Sequence, residues 1–460
     1  MNIDFLYIIH LYFGNDIVPK YIHFAFDLLT AWIIFIYLKI RINTRYALIG
    51  EIFFLSLPVI VKLSITVYVD LGLVFFSTWA LLNLLKWLEN DFKFHLLIIS
   101  AVSCGLALGT KYNGLITVIL LALFVPYLLA KYQGGLSSSE DSEVPGIKPE
   151  VKADKKSPTF RVLLYGAVFV LTALIVFSPW MIRNYIWTDN PVYPLYNGWF
   201  NPSPSDPVGT SGHLGPFAVR KLVFKEALWQ TLLVPVRIFF EGQDNLPQYF
   251  DGKLNPFLFF LPFFAFLRVK KNTPMIKAEK KILLTFAVLY LLFTFFKTDM
   301  RIRYIAPIIP PLVILAMYGL HQISTFVAGY FSVPVCRFMR IGLVAAAIFM
   351  FGMNGAYVWG QFNSVDPMSY LSGRLDRDAY IQRYRPEYKA IKYANNNLSK
   401  RTKILGVFLG NRCYYSDREI IFGDGFFRTT VMGAETPQNI LANLKERKIT
   451  HMLIRYDMFN

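Results

Sequence analysis

The stretch Pro58–Trp79 reads PVIVKLSITVYVDLGLVFFSTW and carries a single carboxylate, Asp70, between two apolar runs. Both runs are long enough to lie within a membrane. An ionisable group at such a depth costs roughly 3 kcal/mol unless it faces protein, water or a cation, so it indicates a functional site. The competing interpretation is that Asp70 only ends a loop at the level of the lipid headgroups.

The composition indicates a polytopic α-helical membrane protein. Hydrophobic residues make up 55% of the 460 residues and charged residues only 17%, which is more apolar than a soluble domain of this length. The formal charge of +17 requires no nucleic-acid partner, because Lys and Arg lie in short clusters between apolar runs. The histidines are scattered and the three cysteines share no metal-binding spacing, so no zinc site is predicted.

Ten segments are apolar enough to be membrane spans, and residues 1–20 are predicted to lie along the membrane interface. The ten segments cover residues 21–38, 46–62, 67–87, 95–109, 113–130, 161–182, 255–267, 282–296, 304–321 and 341–359. If the chain before residue 21 is outside, the basic clusters between the spans fall on the cytoplasmic side. This orientation predicts an inner or plasma membrane protein whose C-terminus is external.

Three further segments complete the predicted organisation around a membrane domain of residues 21–360. Residues 131–160 are rich in Ser, Gly, Pro and mixed charge, which predicts a disordered cytoplasmic linker. Residues 184–255 are predicted to be an external loop, in which the periodicity of residues 217–240 predicts an amphipathic helix. Residues 361–460 are predicted to be a small external α/β domain. Its strands are predicted at 403–409 and 451–456, and its helices near 385–397 and 437–447.

Polar turns between the spans are predicted to converge on the external face, and they contain five cations. The five are Lys62, Lys111, Arg183, Arg301 and Arg303. An anionic ligand whose tail stays in lipid needs such an arrangement, because Arg and Lys bind phosphate while the surrounding helices admit an isoprenoid chain. For any one of these cations alone, snorkelling toward the interface is the competing interpretation.

Five stretches of the sequence carry a resemblance to a known superfamily. They are YVDLGLVFF (68–76), GLALGTKYNG (105–114), SPWMIRNYIWTDNPVYPLYN (178–197), FDGKLNPFLFFLPFF (250–264) and RIRYIAPIIPPLVILA (301–316). In this order they resemble the GT-C superfamily of membrane glycosyltransferases, in its lipid-carrier-dependent branch related to protein mannosyltransferases and aminoarabinose transferases. The resemblance covers most of the chain through residue 360, and the C-terminal domain also resembles that of the same branch.

The resemblance implies transfer of a sugar from a polyprenyl phosphate donor to an acceptor on the external face, with inversion at the anomeric carbon. It implies that Asp70 is the second acidic position of the family, near the donor phosphate, and Asp70 is predicted to be catalytic. The predicted substrate-binding residues are Lys62, Lys111, Tyr112, Arg183, Asn184, Arg301, Arg303 and Tyr304. The acceptor, which could be a glycan, a lipid or a protein, stays open, as does a divalent cation beside Asp70.

The general base has no clear match in this sequence. Family members carry their principal acidic residue on a first external loop, and we expect the first span and this loop to be missing here. Asp4 and Asp16 are the acidic residues in that neighbourhood, and a structural role is favoured for each. His23 and Asp27 lie four residues apart on the first span, which predicts a buried hydrogen-bonded pair. Asp251 contacts the acceptor or the loop, or it caps the following turn.

Two other classes of function remain open from the sequence. The first is a non-catalytic membrane subunit, which the expected loss of the first loop favours. The second is a transporter or flippase of lipid-linked sugars, although the inverted repeats typical of transporters are not visible in this sequence.

Overall fold

The structure is a computed structural model that describes residues 2–132, 158–202, 215–267, 273–297, 300–410, 413–422, 427, 430–431 and 436–455. The chain divides into two compact units, Met1–Trp359 and Gly360–Asn460. Most of the predicted linker, residues 133–157, lies outside the described residues.

The first unit is built from α-helices, the last of which continues into the second unit as far as Val365. They are α1 (Asn2–Tyr12), α2 (Val18–Arg41), α3 (Thr44–Ser56), α4 (Pro58–Ser64), α5 (Asp70–Glu89), α6 (Phe94–Thr110), α7 (Gly114–Tyr132), α8 (Pro158–Thr188), α9 (Asn197–Phe200), α10 (Pro216–Ala218), α11 (Leu228–Leu232), α12 (Val234–Arg237), α13 (Phe257–Phe264), α14 (Pro274–Lys297), α15 (Ile309–Tyr330) and α16 (Val333–Val365). Short 3₁₀ helices cover Pro247–Tyr249 and Ile302–Ile308, and a π-helix covers Val219–Val223.

Two of these segments form the centre of the unit. In α5, 78% of the most apolar 18-residue stretch is buried, and in Ile302–Gly329 the share is 89%. The corresponding shares in α8 and α16 are only 17% and 11%. Leucines on all sides of α5 are enclosed by its neighbours, which is typical of a helix inside a bundle. The N-terminal ends of these two central segments carry Asp70 and Arg303, so the fold places both residues inside the bundle.

The helices account for a multi-pass membrane protein. Among the described residues, six helices are long and apolar enough to cross a membrane, or seven if α3 and α4 form one broken span. These two helices meet at an angle of 63°, at Leu57 and Pro58, where the proline ring disfavours a continuous helix. Of the ten predicted spans, that at 255–267 contains only α13, whose eight residues are too few to cross alone.

The prediction of one amphipathic helix over residues 217–240 is wrong. The structure has three short helices and a π-helix there, separated by a turn at which Lys225 takes a left-handed conformation with φ of 54°. This turn brings Glu226 back to Arg220, whose Nη1 lies 2.9 Å from Oε1, and both side chains are buried. The short helices have helical periodicity, but the Arg220–Glu226 ion pair favours a turn over one continuous helix.

The second unit combines short helices with one parallel sheet. Its elements are α17 (Pro367–Leu371), α18 (Arg377–Tyr384), α19 (Glu387–Asn397), β1 (Lys403–Val407), β2 (Glu419–Phe422), α20 (Pro437–Glu446) and β3 (His451–Ile454). The strand order is β2-β1-β3, with Ile404 opposite Ile420 on one side and His451 on the other. Leu405 and Val407 of β1 pack against Leu444 of α20. Strand β2 was not predicted from the sequence.

Candidate functional site

Asp70 is the first residue of α5, and its side chain is only 3% exposed. Lys111 follows the C-terminus of α6, and its Nζ lies 2.6 Å from Asp70 Oδ1. The ion pair therefore joins the start of α5 to the turn between α6 and α7. A carboxylate this deeply buried needs a partner of opposite charge, because an unpaired charge in such surroundings is strongly destabilising.

Aromatic rings and a second cation enclose this ion pair. Lys111 Nζ lies 4.7 Å from the centre of the Tyr304 ring, and the Arg303 guanidinium lies 5.2 Å from the same ring. Arg303 also lies 5.0 Å from the ring of Tyr68, and its buried Nε has no hydrogen-bond partner. Cation–π contacts hold both charges in place without neutralising them. We call Asp70, Lys111, Arg303, Tyr304 and Tyr68 the aspartate cluster.

Helix α1 packs beside the aspartate cluster. The Tyr7 hydroxyl donates a hydrogen bond of 2.7 Å to the Tyr68 carbonyl, and Ile3 contacts Gly72 on the first turn of α5. Burial and the negative charge of Asp70 raise the pKa of the Tyr7 phenol. Helix α1 therefore contacts the residues on either side of Asp70.

A second group of predicted residues follows directly after Lys111 in the chain. Asn184 Nδ2 donates to the Tyr112 hydroxyl at 3.1 Å, and Tyr112 donates in turn to the carbonyl of Tyr193. Burial raises the pKa of the Tyr112 phenol, so this hydroxyl keeps its proton. Arg183 lies 4.8 Å from the ring centres of both Trp180 and Trp187. The Asn184–Tyr112 hydrogen bond connects the C-terminal end of α8 to the turn that holds Lys111, whereas the ring contacts of Arg183 lie within α8.

The remaining two predicted cations are paired with carboxylates. Lys62 Nζ lies 3.0 Å from Asp244 and 3.3 Å from Asp251, and Arg301 lies 3.5 Å from Asp251. Tyr357 donates a hydrogen bond of 2.6 Å to Asp244. We call Asp244 and Asp251 the loop carboxylates. A phosphate approaching Lys62 or Arg301 would have to compete with them.

The loop that carries these carboxylates is fixed to the elements that carry the cations. Ile302 donates a backbone hydrogen bond of 2.8 Å to Phe250, and Val59 donates one of 3.1 Å to Lys253. Asp251 takes a φ of 39° and accepts the backbone N–H of Asn245 at 3.0 Å. Contact with its own loop was one of the alternatives for Asp251, and its other partners are two cations, Lys62 and Arg301.

The predicted site residues thus fall into three groups of contacts. Asp70, Lys111, Arg303 and Tyr304 share the aspartate cluster, Tyr112, Asn184 and Arg183 adjoin it through the Lys111 turn, and Lys62 and Arg301 bind the loop carboxylates. Sequence reasoning missed Asp244, Tyr68 and Tyr357. Asp244 and Tyr357 lie outside the quoted motifs, and Tyr68 lies inside one, but the partners of all three residues lie far along the chain.

The predicted hydrogen bond between His23 and Asp27 is wrong. Both ring nitrogens of His23 are used by backbone groups of residues 63, 66 and 71. Asp27 is 2% exposed, and its Oδ1 is buried without a hydrogen-bond partner. The two residues share a helix face, but the backbone at the start of α5 outcompetes Asp27 for the imidazole.

Within the described ranges, no three His, Cys, Asp or Glu side chains come together as a metal site.

Comparisons with known proteins agree with the resemblance seen in the sequence. A family model, dolichyl-phosphate-mannose-protein mannosyltransferase, matches residues 5–139. The matched segment contains both Asp70 and Lys111. No curated protein matches the chain.

Two solved structures are similar to this chain at low identity. Crystal structures of ArnT from Cupriavidus metallidurans match in the apo state and bound to undecaprenyl phosphate, each with 15% identity. The apo match covers 93% of this chain and 80% of ArnT with a TM-score of 0.46. The match to the bound form covers 96% and 75% with a TM-score of 0.44.

Proposed function

We propose that the protein is a glycosyltransferase that moves a sugar from a polyprenyl phosphate donor to an acceptor at the external membrane face, with inversion at the anomeric carbon. The observation that carries the proposal is the buried Asp70–Lys111 ion pair, enclosed by Tyr304 and Arg303 within a membrane bundle. The family match over residues 5–139 supports the same reaction class.

In the proposed reaction, an acceptor hydroxyl forms a new bond to the anomeric carbon of the donor sugar. The bond from that carbon to the phosphate oxygen breaks at the same time, and the acceptor proton passes to a general base. The departing polyprenyl phosphate gains negative charge on its oxygens. Lys111 and Arg303 supply two cations for this charge, held beside the rings of Tyr68 and Tyr304.

Asp70 acts through Lys111 in this proposal. Its carboxylate is almost entirely buried, and Oδ1 binds Nζ of Lys111, so it fixes the direction of the ammonium. A lysine ammonium carries three N–H donors on a flexible side chain. Binding one of them to Asp70 removes much of that freedom before the substrate arrives. Lys62 and Arg301 would bind the phosphate only after their ion pairs with the loop carboxylates break.

The test uses the full-length protein in lipid nanodiscs with radiolabelled polyprenyl phosphate sugars and membranes of the producing cell as the acceptor source. Transfer is measured as label appearing in acceptor together with free polyprenyl phosphate. We expect Lys111→Met and Asp70→Asn each to lower turnover by about a hundredfold, the size typical of a lost transition-state cation. The double variant should lose little more, because the two residues act as one unit.

Lys86→Met is the matched control. Lys86 lies on the last turn of the same helix, 5.6 Å from the Trp79 ring, at the opposite end from Asp70. Its loss should leave turnover unchanged. If Asp70→Asn transfers as fast as the wild type, the proposed role of Asp70 is wrong. Movement of labelled donor across liposomes without bond cleavage would instead support a flippase.

A further inference from the structure

The second unit contains a pocket of about 250 Å³ that lies between the start of α19 and residues 413–415. Its lining includes Arg385, Glu387, Tyr388, Ile391, Tyr414 and Tyr415. None of these residues belongs to the site described above. The lining thus contains three tyrosines and two side chains of opposite charge.

The three tyrosine rings form an aromatic corner. Tyr415 lies edge-on to Tyr388, with ring centres 5.0 Å apart, and edge-on to Tyr414, with ring centres 5.1 Å apart. Tyr414 is 47% exposed, whereas Ile391, which also lines the pocket, is 2% exposed. The pocket therefore combines an exposed aromatic ring with a buried apolar side chain.

Hydrogen bonds hold this corner in place. The Tyr388 hydroxyl donates to Asp378 at 2.6 Å, and Asn395 Nδ2 donates to the Tyr415 carbonyl at 2.9 Å. The N–H of Asp417 donates to the same Asn395 side chain at 2.9 Å. A ligand would find the rings already ordered, which reduces the entropy lost on binding.

The size and charge of the pocket restrict its ligand. Pockets for drug-sized molecules are about 300–1,000 Å³, so this one suits a single small ring. Arg385 and Glu387 lie two residues apart with opposite charge, which favours a neutral ligand rich in hydroxyl groups over an anion.

We propose that this pocket binds one pyranose ring of a neutral glycan. The apolar C–H face of the sugar would stack on Tyr414, while its hydroxyls would bind the guanidinium of Arg385 and the carboxylate of Glu387. The glycan is then the acceptor, or the product, of the transferase. That assignment rests on the proposed function, although the binding itself requires neither donor nor catalysis.

The experiment measures binding to the full-length protein in nanodiscs without any polyprenyl phosphate. The probes are fluorescently labelled neutral oligosaccharides of mannose, glucose and galactose. We expect at least one to bind, and Tyr414→Ala to weaken its binding by about tenfold or more. Tyr414→Phe should bind within about twofold of the wild type, because it keeps the ring face.

Tyr393→Ala is the matched control, because Tyr393 is a 64% exposed tyrosine on the same helix, α19, but is not among the pocket residues. Its binding should equal that of the wild type. Equal binding by Tyr414→Ala, or no binding by any of the three oligosaccharides, would overturn the proposal. A failure here leaves the transfer assay of Lys111→Met and Asp70→Asn unaffected, so the two proposals fail separately.

Discussion

His23 illustrates how one buried side chain fixes the position of another residue. It is fully buried, and its Nδ1 lies 2.9 Å from the Thr66 carbonyl and 3.1 Å from that of Leu63. Its Nε2 accepts the N–H of Leu71 at 3.0 Å, which assigns the proton to Nδ1. His23 thus ties the end of α4 to the residue after Asp70. It is a positioning residue for the Asp70–Lys111 pair.

The substitution His23→Ala should lower turnover in the transfer assay by about tenfold with little change in KM, because Asp70 and Lys111 lose their fixed geometry. His23→Gln should recover much of this loss, since the carboxamide oxygen can reach the place of Nε2 and accept from Leu71. The measurement is kcat and KM for both variants beside their thermal unfolding. Equal activity of the two variants, or a loss that follows unfolding alone, would contradict this role.

At the scale of elements, sequence patterns located helices better than they located contacts. The stretch around Asp70 predicted a carboxylate at membrane depth near the end of a helix. Its position between two apolar runs is enough for this prediction. The partner of Asp70 is 41 residues away, and Lys62 meets Asp244 across 182 residues. Periodicity cannot report such pairings. The same limit explains the broken segment over 217–240, where one local ion pair outweighed helical periodicity.

The packing of α13 on α15 depends on a single glycine. A Cβ on Gly319 would lie 2.1 Å from the backbone carbonyl oxygen of Leu261, so the two helices would have to separate. Gly319→Ala should therefore lower the midpoint of thermal unfolding in detergent by several degrees, despite the higher helix propensity of alanine. Gly329→Ala on the same helix meets nothing within 4 Å and should leave the midpoint unchanged or raise it. Equal effects of the two substitutions on the midpoint would show that the close contact between Gly319 and Leu261 does not determine stability.

At the scale of the whole molecule, the formal charge of +17 becomes informative only through its distribution. Lys39 and Arg41 end α2, Lys86 lies in the last turn of α5, and Lys131 ends α7. Asp70 and Lys111 lie at the opposite ends of their helices. The helices therefore separate a basic side from the side that carries the aspartate cluster. From the positive-inside rule we propose that the cluster and the C-terminus are external.

The three cysteines of the chain allow this orientation to be tested in cells. Cys413 is exposed in the second unit, Cys104 is buried, and Cys336 is partly buried and can be removed as Cys336→Ala. In intact cells of the Cys336→Ala variant, a membrane-impermeant maleimide should label Cys413, and Cys104 should react only after denaturation.

The control adds Lys93→Cys, in the exposed turn between α5 and α6, and replaces Cys413 by alanine. Because that turn is expected in the cytoplasm, its cysteine should react only after permeabilisation. The reverse pattern of labelling would invert the orientation and place the Asp70–Lys111 pair at the cytoplasmic face, where the proposed external transfer could not occur.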